Sequence, residues 1–304
     1  MSVRKSSAAG YLLALAATVL WSTVFPLVRT FPSDLSPIEL SFWRWLFTFI
    51  SLLPFVLGAI KDHWQLVVSN WRWIAPAGIL GLSAYSLLMF EAGHTTNATN
   101  MSLFAATAPI SMAILSRVFL KEKFSWPQIT GLLIAVAGVL VLVLKGDFTQ
   151  LAQLEVTVGD LWMLTAASFF AIYSILIRNR PEQMPQKVCM AGMMVFAMAI
   201  LCPPMGIVAM KTDYHLPEIT TFLLILYIAA IPTLTGYLLW NRSVAHIGAA
   251  RAGVVYYSIP LFSSIEAVFL LGEQVQLSQV VGGTLIIGGI LLSSLNILKQ
   301  ICRQ

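Results

Sequence analysis

Residues 249–289 read AARAGVVYYSIPLFSSIEAVFLLGEQVQLSQVVGGTLIIGG, and this stretch has a counterpart 151 positions earlier in the chain. The counterpart, residues 98–138, reads ATNMSLFAATAPISMAILSRVFLKEKFSWPQITGLLIAVAG, and the two align without a gap. Composition bias gives some matches between apolar segments, but it does not easily align a proline, a turn glutamate and two glycines. Eight of the 41 positions are identical: Ala98/Ala249, Pro109/Pro260, Ile114/Ile265, Leu120/Leu271, Glu122/Glu273, Gln128/Gln279, Gly131/Gly282 and Gly138/Gly289. The chain is therefore predicted to contain two copies of one unit.

The composition indicates a membrane protein. The 304 residues are 58% hydrophobic and 10% charged, with a mean hydropathy of +0.83, whereas soluble domains are about a quarter charged. The formal charge of +5 comes from basic residues scattered between apolar runs, which argues against a nucleic-acid surface. Cys189, Cys202 and Cys302 have neither disulfide nor zinc-ligand spacing. We therefore expect no metal and no cofactor.

Apolar runs predict an all-α integral membrane fold with ten transmembrane helices, because a bilayer core needs about 20 apolar residues per helix. The apolar run that follows MSVRKSSAAG is long enough to span a bilayer, and no signal-peptidase-like cleavage site follows it. It is therefore predicted to be a membrane helix and not a signal peptide. The ten runs are 10–29, 38–60, 71–91, 97–119, 126–144, 159–178, 187–210, 219–241, 249–271 and 278–298.

The distribution of basic residues predicts the orientation. With the N-terminus inside, the inner side holds 14 Lys and Arg and the outer side holds 3. Since inner loops are enriched in these residues, both termini are predicted to be cytoplasmic. Each copy has five helices, an odd number, so the second copy must cross the membrane upside down. The loops agree, because Lys121 and Lys123 flank Glu122, while the matching turn, 272–274, reads Gly-Glu-Gln and carries no basic residue.

These observations predict two inverted-topology five-helix repeats. The first helices of the copies also align, at an offset of 149, which pairs Gly10 with Gly159. The predicted division is a first repeat at 1–146, a connecting loop at 147–158, a second repeat at 159–298 and a cytoplasmic tail at 299–304.

Inverted repeats favour transport by alternating access, with a site between the two halves. The sequence contains no HExxH, GxSxG, Walker loop or GxGxxG, and no pair of carboxylates deep in the helices that could hold a metal. An enzyme is therefore not expected. The alternatives are a duplication that only built a stable helix bundle, a membrane enzyme whose catalytic residues form no recognisable motif, and a receptor or scaffold.

Polar and aromatic residues inside the predicted helices indicate the kind of solute. Hydroxyls, amides and rings dominate, and this lining suits a small neutral or zwitterionic solute with an apolar part. The same residue types also pack helices and anchor them at interfaces, which is the alternative explanation. The candidate substrate-binding residues are Trp21, Ser22, Tyr85, Trp162, Tyr237 and Tyr256, from a wider set that includes Tyr173 and Trp240.

Three charged residues fall within or at the ends of predicted helices. Arg44 and Glu266 lie roughly one and a half to two turns from the outer ends of their helices. Glu91 lies at the outer end of the third helix, beside His94. A lone charge at this depth costs a few kcal/mol, so Arg44 is predicted to pair with Glu266, Glu39 or backbone carbonyls. The alternative is that Arg44 attracts a substrate carboxylate.

Prolines and small residues occupy repeat-equivalent positions. Pro109 and Pro260 each remove a backbone hydrogen bond and are candidate hinges, with a packing kink as the alternative. Two small-xxx-small pairs predict close helix packing, with each other or across a dimer, so a monomer or weak homodimer is expected. These pairs are Gly131/Ala135 and Gly289/Ser293. The methionines of the seventh run, such as Met190 and Met193, are predicted to be lipid-facing, with adaptable packing beside a moving helix as the alternative.

The chain resembles the EamA family of the drug/metabolite transporter superfamily. The resemblance rests on Pro109…Glu122…Gln128…Gly131, its repeat Pro260…Glu273…Gln279…Gly282, and Ser36-Pro37…Arg44. Val19-Leu20-Trp21-Ser22-Thr23 followed by Arg29 is similar to the start of YddG-type exporters of aromatic and other amino acids. The resemblance implies an outward-opening central cavity, whose deep aromatic positions here are Trp21, Tyr85, Trp162 and Tyr237.

The sequence thus predicts a multi-pass transporter of the cell inner membrane that exports neutral or aromatic amino acids or similar small metabolites. Its expected partners are the small solute and the lipid bilayer, with no nucleic acid. A drug-like cation is a disfavoured alternative, because the first helix carries no acidic residue. Exchange of sugar phosphates or nucleotide sugars would need several intramembrane Lys or Arg, and Arg44 alone is present.

Overall fold

The computed structural model describes residues 2–24, 27, 35–152, 155–181, 183–211, 216–272 and 274–301, and within them no β-strand occurs. Three residues named in the sequence analysis lie outside the described residues: Arg29, Glu273 and Cys302.

The helices are numbered in chain order. They are α1 Ser2–Ser22, α2 Pro37–Ser69, α3 Trp71–Thr95, α4 Ala98–Ala105 with Thr107–Phe119, α5 Trp126–Val143, α6 Val158–Arg178, α7 Gln186–Lys211, α8 Ile219–Ile247, α9 Ala249–Tyr256 with Ser258–Leu271, and α10 Leu277–Ile301. A short 3₁₀ turn, Phe148–Leu151, lies in the connection between α5 and α6.

Helices α2 to α10 are each long and apolar enough to cross a membrane, which makes nine candidate spans among the described residues. Helix α1 contributes a shorter apolar stretch, Ala8–Ser22. The predicted run at 10–29 continues beyond this stretch into residues that are not described.

Reciprocal side-chain caps fix where several helices begin. Ser36, Ser125 and Thr157 each form a capping box with the residue three positions later, and this arrangement satisfies two backbone N–H groups of the first turn. The third box uses Asp160, which is fully buried. Its carboxylate also accepts from Thr96 Oγ1 at 2.5 Å, so the start of α6 is tied to the end of α3.

The helices pack in pairs that join the first five to the last five. Helix α1 packs against α8, and α3 packs against α6. Helices α2 and α7, α4 and α9, and α5 and α10 form three further pairs. The main hydrophobic core therefore lies where both sets of helices meet, and it includes Trp45, Phe170 and Trp240.

Glycines bring α5 and α10 into backbone contact. A Cβ atom at Gly131 would lie 2.5 Å from the carbonyl oxygen of Gly289, and one at Gly138 would lie 2.7 Å from that of Gly282. The residue numbers rise along one helix as they fall along the other, so the two helices are antiparallel. The prediction that these small residues pack against each other is confirmed.

Two helices are interrupted near their prolines. Helix α4 breaks at Ala106 and α9 breaks at Tyr257, each three residues before Pro109 or Pro260. A proline cannot donate to the preceding turn, so carbonyl groups are freed at both breaks. The hydroxyl of Tyr257 donates to the carbonyl oxygen of Ala106 at 2.8 Å. The two interruptions therefore meet.

Helices α3 and α8 each contain a π-helical segment, at Ile79–Ala84 and Ala229–Thr235. The wider turn disturbs the regular backbone ladder, and such segments occur frequently at functional sites. Tyr237, which follows the second segment, donates to the carbonyl oxygen of Gly81 in the first at 2.9 Å.

The methionines in the first three turns of α7 are not on the surface. Met190, Met193 and Met194 are fully buried, where α7 packs against α2 and α3. The backbone of Met193 approaches Gly78 so closely that a Cβ there would overlap its carbonyl group. The lipid-facing prediction is therefore wrong, because unbranched thioether side chains fill the irregular gaps of this interface.

Candidate functional site

Aromatic side chains from five helices meet in the centre of the bundle. We call them the aromatic cluster: Trp21, Tyr85, Phe170, Tyr173, Tyr237, Trp240 and Tyr256. Trp21 on α1 and Phe170 on α6 contact each other edge to face, with ring centroids 5.6 Å apart. Pairs at this separation are favourable beyond their buried area, so the two rings join the two sets of helices.

Trp21 is surrounded by rings of α8 and α9. Its centroid lies 5.5 Å from that of Tyr237, 5.4 Å from that of Trp240 and 6.1 Å from that of Tyr256. Gly236 lies against the indole, and a Cβ at that position would overlap Nε1 of Trp21. The absence of a side chain at Gly236 therefore makes room for the indole.

Phe170 is the second centre of the cluster. Its centroid lies 5.2 Å from that of Tyr85, 5.5 Å from those of Trp240 and Tyr256, and 6.0 Å from that of Tyr173. The selection of candidates by polarity missed Phe170, because its side chain has no polar atom. The internal repeat could have identified it, since the alignment of the first helices at offset 149 pairs position 170 with Trp21.

The buried hydroxyls of the cluster have partners. Tyr173 donates to Oδ1 of Asn241 at 2.7 Å, and Tyr237 donates to the carbonyl oxygen of Gly81 at 2.9 Å. Tyr173 and Trp240 are fully buried, whereas Trp21, Tyr85 and Tyr256 are half-buried. The half-buried rings leave apolar faces for a ligand without breaking this network.

Arg44 lies at the edge of the aromatic cluster and is 6% exposed. Its guanidinium donates to Oγ of Ser86 and lies 5.5 Å from the ring of Trp45 and 5.0 Å from that of Phe90. Nε of Arg44 is buried without a hydrogen-bond partner.

The prediction that Arg44 pairs with Glu266, Glu39 or backbone carbonyls is wrong: among the described residues it makes no ion pair, and its described hydrogen bond goes to a side chain, that of Ser86. Both acidic residues have other roles. Glu39 caps α2, where it accepts from the backbone N–H of Ser36 at 2.9 Å. Glu266 accepts from the hydroxyl of Ser22 at 2.8 Å, and its second carboxylate oxygen is buried without a partner. Ser22 thus links α1 to α9.

Two candidate residues lie away from this centre. Trp162 is 39% exposed and lies two turns before Phe170, roughly 12 Å along α6. The structure therefore does not bring it to the other predicted rings. Glu91 is exposed near the end of α3. The remaining predicted aromatic residues, Trp21, Tyr85, Tyr237 and Tyr256, all lie in the cluster.

A polar cavity of about 240 Å³ lies at the end of the bundle where α8 turns into α9. Its lining includes Glu122, Arg178, His246 and Arg251. Burial raises the pKa of the Glu122 carboxyl, and the nearby charges of Arg178 and Arg251 lower it in part. The cavity is therefore polar, in contrast to the aromatic cluster. Among the residues the structure describes, no group of three or more His, Cys, Asp or Glu could hold a metal ion.

Comparison with solved structures supports the fold. A crystal structure superposes on this chain with a TM-score of 0.77 at 19% identity, covering 95% of this chain and 98% of the other.

Similar proteins cover nearly the whole chain. The uncharacterized transporter YyaM of Bacillus subtilis strain 168 is 25% identical over 288 residues, which is 93% of this chain and 93% of its own length. The uncharacterized transporter YdfC of the same organism is 28% identical over 286 residues, 92% of this chain and 89% of the relative. A probable terminal-alkyne amino-acid exporter of Streptantibioticus cattleyicolor is 26% identical over 288 residues, 92% of this chain and 91% of that protein.

The sequence profile of the EamA-like transporter family matches this chain twice, at residues 8–144 and at residues 157–295. The helices, the relatives and the two matches agree on a multi-pass membrane transporter. The chain belongs to the EamA-like transporter family.

Proposed function

We propose that this protein exports amino acids, or similar small metabolites with an apolar side chain, by alternating access between two inverted five-helix halves. The first half is 1–146 and the second is 159–298, joined by the loop 147–158, with a tail at 299–304. Both termini face the cytoplasm and the protein resides in the cell inner membrane. The two family matches, at 8–144 and 157–295, support this division.

One observation carries the proposal: contacts between the halves occur in exchanged pairs. Trp21 contacts Gly236. The counterpart of Trp21 in the second half, 149 positions later, is Phe170, and the counterpart of Gly236 in the first half, 151 positions earlier, is Tyr85. These two counterparts also contact each other. In the same way, the approach of Gly131 to Gly289 is matched by that of Gly282 to Gly138. A pseudo-two-fold axis relating two inverted halves produces this pattern.

Equivalent residues of the two halves meet in the aromatic cluster, which supports a solute site there. Trp21 and Phe170, 149 positions apart, contact each other, and so do Ala106 and Tyr257, 151 positions apart, as we expect of residues on such an axis. In inverted-repeat transporters the substrate lies near the bilayer midplane at the repeat interface, often beside broken helices. The breaks near Pro109 and Pro260 are therefore the hinges we propose.

The chemistry of the cluster favours an amino acid. Rings of Trp21, Tyr85 and Tyr256 offer apolar faces, and Arg44 and Glu266 offer opposite charges near the edges of the cluster. A phosphate substrate would need several cations, but among the Lys and Arg side chains whose burial is described only Arg44 is buried. The name of the relative from Streptantibioticus cattleyicolor supports the same substrate class.

Reconstitution in liposomes tests the proposal. Purified protein is assayed with a panel of labelled amino acids, with and without a pH gradient. We expect saturable uptake of neutral and aromatic amino acids by liposomes that contain the protein, and no such uptake by liposomes without it. If no amino acid of the panel is taken up, the proposed amino-acid substrate class is contradicted. Uptake at the same rate with and without the pH gradient would identify a facilitator.

A matched pair of tryptophan variants tests the location of the site. Trp21→Ala removes a ring from the cluster, whereas Trp64→Ala removes one that is 59% exposed on α2. Both proteins are first checked for a single folded species by size-exclusion chromatography. Uptake should fall strongly in the first variant and persist in the second. Equal uptake by both would place the site elsewhere.

A further inference from the structure

Arg44 has more hydrogen-bonding capacity than its surroundings use. A guanidinium carries five N–H donors, and the described hydrogen bond of Arg44 goes to Ser86 Oγ. The same oxygen also accepts from Nε1 of Trp45 at 2.9 Å, so both lone pairs of the Ser86 hydroxyl are occupied. Nε of Arg44 is buried with no acceptor.

The ring contacts of Arg44 do not replace an anion. Trp45 and Phe90 lie near the guanidinium, and such contacts stabilise a cation only modestly. Removing the charge from water is costly unless it is paired. Arg44 is 6% exposed and forms no ion pair with any described carboxylate, so the site is one negative charge short.

The missing anion would lie beside the aromatic cluster. Ser86, which accepts from the guanidinium, directly follows Tyr85 of the cluster. Trp45, which shares Ser86 with Arg44, contacts Tyr237 edge to face with centroids 5.3 Å apart. A ligand bound to Arg44 could therefore rest its apolar part on the cluster.

We infer that Arg44 binds the carboxylate of the transported solute, with the solute's apolar side chain on the faces of Trp21, Tyr85 and Tyr256. This inference rests on the proposed function and specifies its substrate as a carboxylic acid with an apolar or aromatic side chain. A guanidinium matches the two oxygens of a carboxylate with parallel N–H donors, which a lysine ammonium does not.

Substrate analogues test the inference first on the wild-type protein. Phenylalanine and its carboxamide have the same ring and ammonium and differ in the charge at the carboxyl carbon. Their competition with labelled phenylalanine is measured on detergent-solubilised full-length protein, at a mildly acidic pH that keeps both amines protonated. We expect the acid to bind about 10- to 100-fold more tightly than the amide, the range for charge-assisted hydrogen bonds.

Variants of Arg44 then test whether this residue causes the preference for the acid over the amide. Arg44→Gln should reduce the acid-to-amide ratio to about one, and Arg44→Lys, which keeps the charge without the fork, should give an intermediate ratio. The matched control is Arg72→Gln, because Arg72 also lies over a tryptophan, 5.8 Å from the ring of Trp71, but is exposed. Its ratio should equal that of the wild type.

The outcomes separate this inference from the proposed function. Equal binding of acid and amide by the wild type, or an undiminished ratio in Arg44→Gln, would overturn the role of Arg44 while amino-acid transport stands. If Arg44→Gln does not fold, an undiminished ratio in Arg44→Lys overturns it as well. Binding of neither ligand, with no uptake of any amino acid, would overturn both.

Discussion

Replacing Gly289 by alanine should separate α5 from α10, and its neighbour Gly288 provides the control. A Cβ at Gly289 would lie 2.5 Å from the carbonyl oxygen of Gly131 and 2.7 Å from the backbone nitrogen of Ala135. A Cβ at Gly288 would have no atom within 4 Å. Backbone atoms cannot rotate aside, so in the first variant the helices themselves must move apart.

The expected magnitude follows from comparing the two substitutions. Each replaces a helical glycine by alanine and gains about 0.8–1.0 kcal/mol of helix propensity. Overpacking at a tight contact costs about 1–3 kcal/mol, and this cost applies to Gly289→Ala alone. Because the propensity gain cancels in the difference, Gly289→Ala should be less stable than Gly288→Ala by about 1–3 kcal/mol.

Unfolding in detergent provides the measurement. Both variants are purified in the same detergent and unfolded by heat or by SDS, with tryptophan fluorescence as the signal. Gly289→Ala should unfold first, and Gly131→Ala, the partner in the same contact, should behave like Gly289→Ala. If the two α10 variants unfold together, the backbone contact between α5 and α10 is refuted.

Three further predictions concern single side chains. Asp160→Asn places an amide where a buried carboxylate accepts from Thr96 and from the backbone, so the free energy of unfolding should fall by about 1–3 kcal/mol; unchanged thermal unfolding would contradict this role. Tyr257→Phe leaves the carbonyl of Ala106 without its donor and should cost about 1–3 kcal/mol in the same assay; unfolding at the wild-type temperature would contradict this. Burial raises the pKa of Glu122 above 4.5, so its contribution to stability is present below 4.5 and is lost as pH rises through the raised pKa. Glu122→Gln should therefore flatten the decline of unfolding temperature with pH, and parallel pH profiles would refute the shift.

The positions of the helices could be predicted from sequence because the bilayer imposes a length. A span of about 20 apolar residues is required wherever the chain crosses the hydrocarbon core, and nine predicted runs coincide with long apolar helices. The contact of Gly131 with Gly289 was also predictable, because small residues spaced four apart let membrane helices approach. The helix positions depend on local sequence alone, and the contact was marked by a small-residue motif in each of the two helices.

Contacts between distant segments that no local motif marks could not be predicted. The π segment at Ile79–Ala84 has no local signature, and one of its carbonyl groups accepts from Tyr237, 156 positions later. Trp162 was expected among the other rings because depth was counted from the end of an apolar run, whereas neighbouring helices decide which face of α6 is covered. Arg44 was expected to have an acidic or carbonyl partner because burial of an unpaired charge is costly.

The two halves are unequal at their centre. Trp21 faces Gly236, and at the exchanged positions Phe170 faces Tyr85. The first pairing joins a large ring to the smallest residue and the second joins two rings, so the second fills more volume. Arg44 donates to Ser86, the residue that follows Tyr85, and therefore lies near the second pairing. On the proposed mechanism, the two halves therefore exchange roles around an unequal centre, in which the charge that selects the solute belongs to the first half.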